Sequence, residues 1–110
     1  MNYRGKTYKT MGEVFNEALR LAKTDSYEAK EFFVEYIGYI AHENTCDFEK
    51  ASRIAKSNLG YFAGYYDEET YDIIYKTYQC PHPIFGDKPF SVSSEEAYKK
   101  RLEMGRKLNC

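Results

Sequence analysis

The chain has no tryptophan, only three prolines and only three cysteines in 110 residues, and no apolar run of about 18 residues. The last absence excludes a transmembrane helix. The amino-terminal MNYRGKTYKT has no apolar stretch either, so it does not read as a signal peptide. Cys46, Cys80 and Cys110 are odd in number and widely spaced, which argues against a disulfide scaffold and for a reducing compartment. The expected location is therefore cytoplasmic. Excess charge of one sign is also missing. With 16 basic and 17 acidic residues the formal net charge is −1, giving no global attraction to nucleic acid or an anionic membrane. No P-loop, no G-x-G-x-x-G, no internal repeat and no low-complexity stretch is present.

What the chain has in abundance is tyrosine, at 12 residues beside 7 phenylalanines. Tyrosine carries an apolar body and a polar tip, so it suits half-buried positions and interfaces. The length fits one domain, residues 1–110, with a core that needs no staples.

Helical periodicity recurs in four segments. Residues 1–10 read as a small hairpin or an extended arm, and Thr10 as an N-cap. Met11, Val14, Phe15, Ala18, Leu21 and Ala22 then predict a helix over Met11–Lys23. Thr24–Ser26 is a stop-and-restart signal. Ala29, Phe32, Phe33, Tyr36, Ile37 and Ile40 form the stripe of a second helix ending near Glu43–Asn44. Asp47 or Thr45 caps a third, with Phe48, Ala51, Ile54, Ala55, Leu59 and Phe62 inward and Lys50, Arg53 and Lys56 outward. Gly60, Ala63 and Gly64 put small residues where another backbone can approach, and Gly64 is also a candidate C-terminal cap.

Asp67 with Glu68 and Glu69 opens a fourth helix, in which Tyr71, Ile74, Tyr75 and Tyr78 share a face. Pro81 and Pro83 forbid helix in a loop over 79–92, which should pack Ile84 and Phe85 on the bundle. Ser93 and Glu96 make a capping box for a last helix over 94–108. The expected fold is all-α, four to five short helices with a core of Phe15, Phe32, Tyr36, Ile37, Ile54, Leu59, Phe62 and Ile74, and almost no strand.

The side chains offer five kinds of chemistry. His42, Cys46, Cys80 and His82 have zinc-ligand types but poor spacing, so the cysteines read as buried hydrophobes and no metal or cofactor is expected. Cys80 beside His82 or His42 lacks any sign of the electropositive niche a nucleophile needs. Asp67, Glu68 and Glu69 read as a helix cap rather than acid/base catalysts, so the chain is expected to be no enzyme. Arg53, Lys56, Asn58, Tyr61, Tyr65 and Tyr66 interleave cations, an amide and aromatics, the ingredients of a nucleotide site. The bland alternative is one basic solvated face and one aromatic core face. Finally, Tyr61, Tyr65, Tyr66, Tyr71, Tyr75 and Tyr78 crowd one helix junction and cannot all be buried, so some should form a contact surface.

The stretch Ser57–Gly86 resembles a family of small uncharacterised proteins of phages, prophages and other mobile elements of Gram-positive bacteria. That family carries N-[LI]-G-Y-x-A-G-Y-Y-D followed by H-P-I-F-G. The matching residues are Asn58, Gly60, Tyr61, Ala63, Gly64, Tyr65, Tyr66 and Asp67, then His82, Pro83, Ile84, Phe85 and Gly86. The resemblance implies a mobile-element origin and no particular activity. The leading expectation is a non-enzymatic module that binds another protein, with a second copy of itself as one candidate. Its contact residues would be Asn58, Tyr61, Tyr65, Tyr66 and Asp67, with His82 on the stiff loop beside them. The alternative is a small-ligand or nucleotide binder using Arg53, Asn58 and the same tyrosines.

Overall fold

A computed structural model describes residues 1–87 and Lys99. Apart from Lys99, the helix expected over 94–108 lies outside them, as do the end of the 79–92 loop and Cys110. The described fold is a hairpin followed by four helices, β1(Asn2–Tyr3), β2(Lys6–Thr7), α1(Met11–Thr24), α2(Ser26–Asn44), α3(Phe48–Ala63) and α4(Glu68–Tyr78). The all-α expectation is met, and the strands are one antiparallel pair with Asn2 opposite Thr7 and Tyr3 opposite Lys6.

Residues 1–10 form the hairpin rather than the arm. Arg4 and Gly5 both adopt positive φ, 47° and 83°, as a two-residue turn matching the strand twist requires. Tyr3 and Tyr8 fix the hairpin by meeting Phe32 of α2 edge-on, at centroid distances of 5.3 and 5.5 Å.

Each helix starts on a side-chain cap. Thr10, Asp25, Asp47 and Asp67 accept the amide hydrogens of Glu13, Glu28, Lys50 and Thr70. Asp25 serves twice, because its own N–H closes α1 on the Leu21 carbonyl at 2.8 Å. Thr45, considered as a cap for α3, instead ends α2 in the left-handed region at φ 49°.

The core joins Val14, Phe15, Ala18 and Leu21 of α1 to Phe32, Tyr36, Ile37 and Ile40 of α2. Ala51, Ala55 and Leu59 of α3 and Tyr71, Ile74 and Tyr78 of α4 complete it. Six of the eight expected core residues are buried, while Ile54 and Phe62 lie half-buried at its margin. Phe48 departs from expectation. It is 57% exposed, at the first turn of α3, with the rest of its stripe inward only from Ala51 onward.

The buried tyrosines have hydroxyl partners. Tyr78 donates to the Ala18 carbonyl at 2.5 Å, tying α4 to the middle of α1. Tyr36 accepts from Asn58 Nδ2 at 3.0 Å and donates to Met11 Sδ at 3.1 Å, joining α2, α3 and α1.

Candidate functional site

The end of α3 and the chain after α4 are locked together by two glycines. Gly60 is buried, and a Cβ there would overlap the Pro81 carbonyl oxygen and lie 2.8 Å from that of Cys80. A Cβ on Gly64 would overlap the His82 ring. Gly64 does cap α3, but with φ −65°, so it is glycine to make room rather than to reach a left-handed conformation. The small-residue spacing at 60, 63 and 64 thus admits a backbone and an imidazole, not a second helix.

His82 sits in this gap at 2% exposure. Its Nδ1 accepts the amide hydrogens of Ile84 and Phe85 at 3.1 and 3.2 Å. A nitrogen accepting two donors carries no proton, so the neutral ring bears its hydrogen on Nε2. The backbone around it is equally committed. His82 N–H donates to the Tyr71 hydroxyl at 2.8 Å, and that hydroxyl donates to the Gly86 carbonyl at 2.8 Å. His82 and Gly86 also pair backbone to backbone, closing the turn, with Gly86 at φ 73°. Phe85 stacks on the imidazole at 4.5 Å and 22°, and the Tyr61 ring lies 5.4 Å away on α3.

This corrects one expectation about the loop. His82 was read as an exposed contact and Phe85 as the anchor. The structure buries His82 and leaves Phe85 half-buried upon it. The physical reason is that a proline-braced turn aims two free amides inward, and an imidazole nitrogen satisfies both where a phenyl ring cannot.

The other candidate residues separate. Asn58 points inward to Tyr36 and so joins helices rather than meeting a ligand. Asp67 is the N-cap of α4, and the Thr70 amide holds its carboxyl below the usual carboxylate range. Arg53 is exposed on α3, about two turns before Gly60. Of the Arg53–Asn58–tyrosine grouping, Asn58 has its amide engaged within the fold and Arg53 is exposed.

The tyrosine cluster divides. Tyr71 and Tyr78 are buried, and Tyr61 and Tyr75 half-buried. Tyr65 and Tyr66 remain 49% and 43% exposed in the turn between α3 and α4. Both are held. The Tyr61 and Tyr65 hydroxyls are 2.7 Å apart with rings near-perpendicular at 5.0 Å, and Tyr66 lies 4.9 Å from Phe15.

Chemistry beyond contact is poorly supplied. Cys80 is fully buried, and burial pushes its thiol up to about 12, the reverse of what a nucleophile requires. No group of three or more His, Cys, Asp or Glu gathers for a metal among the described residues, and no described helix is long and apolar enough to cross a membrane. A hollow of about 590 Å³ lies between the hairpin and the α1–α2 corner, a region the sequence reading passed over. Most of the charges that line it are engaged, Arg4 with Glu28 at 2.8 Å and Arg20 with Glu17, and Tyr3 donates to Glu28 at 3.0 Å. Comparison of the chain with protein-family models, with curated proteins and with solved structures found no match.

Proposed function

We propose that this chain is a non-catalytic helical module that binds another protein through the edge formed by Tyr61, Tyr65 and Tyr66, and that it is of mobile-element origin. The observation that carries the binding reading is the pair of exposed rings at Tyr65 and Tyr66, each fixed in place by a neighbour. A contact ring already fixed loses little side-chain freedom on association, and tyrosine is enriched where binding energy concentrates. The origin rests on the resemblance of the 58–67 and 82–86 segments described above.

Under this reading His82, Asn58 and Asp67 position the edge and do not touch the partner. The test compares affinity capture by the wild-type chain and by Tyr65→Ala. A defined partner held by the first and lost by the second, at unchanged melting temperature, supports the reading. The same partner held equally by both refutes it. A thermal-shift screen against nucleotides adds a second check. A nucleotide at a hundredfold excess over Kd would raise stability by about 2.7 kcal/mol, and such a rise abolished by Arg53→Ala would favour a nucleotide binder instead.

A further inference from the structure

Within residues 81–87 a single side chain is buried, and it is the one that titrates near neutrality. Pro81, Pro83 and Asp87 are exposed, Ile84, Phe85 and Gly86 half-buried, and His82 buried. The core formed by the four helices does not draw on residues 81–87. Nδ1 of His82 accepts two amide hydrogens, and both would face a new N–H if that nitrogen took a proton. Removal from water opposes the imidazolium as well. In the released loop the same ring meets water and protonates as an ordinary histidine does, near pH 6.5.

We propose that this turn is a latch released by acid: a proton on Nδ1 of His82 expels the Ile84 and Phe85 amides and frees residues 81–87 from α3 and α4 while the helices stay folded. Local opening of this kind needs only that the segment bury little apart from the group that holds it. The charged and titratable neighbours among the described residues leave that logic intact. From α3 come Tyr61, whose hydroxyl meets that of Tyr65, and half-buried Lys56, which acts on Cys80 and opposes a second cation. From α4 come Tyr71, which accepts the His82 N–H, and Tyr75 stacked on it. Glu68, Glu69, Asp72 and Lys76 are exposed and line a separate hollow with Ile73. Asp87 of the loop would favour an imidazolium, but it is exposed and acts on the Tyr75 hydroxyl, which it raises. The latch is therefore fully closed above about pH 6.5 and loosens as pH falls. Release also takes from Tyr61 the ring it rests on, and so removes one support of the exposed tyrosine edge. The latch stands whether or not that edge binds a partner.

Hydrogen exchange of the Ile84 and Phe85 amides, read by NMR as protection factors, tests it in a His42→Gln background, where His82 is the sole imidazole. One proton taken up per opening lowers protection about tenfold between pH 7.5 and 5.5, a window above the ordinary carboxylate range. Protection of the Ile37 amide, in the core of α2, should not change. His82→Asn keeps an acceptor but takes no proton, so its loop amides should show no such fall. Imidazole nitrogen shifts of the unsubstituted chain should show Nδ1 still unprotonated at pH 5.5. Loop protection that is constant with pH overturns the proposal, as does an equal fall in His82→Asn. If that variant fails to fold, the nitrogen shifts decide alone, and an imidazolium at His82 in the folded chain at pH 6 overturns it.

Discussion

Replacing His82 by alanine removes the group around which the loop after α4 is built, and the size of the loss can be worked out. Two hydrogen bonds to Nδ1 disappear, at about 1 kcal/mol each. The ring, buried between Phe85, Tyr61 and the Gly64 backbone, leaves a cavity worth about 2 kcal/mol more. The total is about 4 kcal/mol, against about 2 kcal/mol for Phe85→Ala, whose ring is only half-buried. In urea unfolding, with a slope near 2 kcal/mol per molar, His82→Ala should lower the midpoint by about 2 M and Phe85→Ala by about 1 M. His82→Asn tells packing from hydrogen bonding, since its side-chain oxygen can replace Nδ1 as acceptor and should recover about half the loss. If His82→Ala shifts stability by no more than about 0.5 kcal/mol, as an ordinary surface change does, the loop is not organised by the imidazole and the account of Gly64 fails with it.

Gly60→Ala and Gly64→Ala should each destabilise by about 1–3 kcal/mol, although alanine is the better helix former, because the new methyl strikes loop atoms. Gly12→Ala, whose Cβ would meet only the Thr10 hydroxyl at 3.7 Å, is the control and should be neutral or slightly stabilising in thermal melts. Asn58→Ala should cost about 1–3 kcal/mol by depriving the buried Tyr36 hydroxyl of its donor, while leaving partner capture at the tyrosine edge intact. Stability should also fall in alkali. Burial raises the Cys80 thiol from 9.0 to about 12 and raises the Tyr78 hydroxyl, so the unfolded chain gives up these protons first. That stabilisation is fully present below about pH 9 and drains away as pH climbs toward 12. Cys80→Ala should flatten that part of a pH–stability profile.

The four described helices were legible because their signals are local. Thr10, Asp47 and Asp67 announce caps, and apolar residues at helical spacing place each boundary within a residue or two. The split of the tyrosines was only half legible. That some must be exposed follows from their number. Which ones are buried depends on hydroxyl partners far along the chain, such as the Ala18 carbonyl for Tyr78 and the Gly86 carbonyl for Tyr71. His82 was misread for the same reason. Its partners are two amides of its own turn and the gap above Gly64, and only folding brings these together. The bond from half-buried Asn58 to Tyr36 had no local signal at all. Phe48 was misread because periodicity assigns a face but cannot say where along the helix a neighbour stops covering it.

The double duty of Asp25 has a consequence for how such a chain can change over generations. One residue ends α1 with its backbone and begins α2 with its carboxylate, so the connection has no slack. An inserted residue there would separate the two duties and rotate everything that follows by about 100° relative to α1. Length variation among descendants should therefore be absent at this corner and gather at the Arg4–Gly5 tip of the hairpin, which faces water. An engineer seeking a place for an epitope or a fluorophore should choose the tip for the same reason.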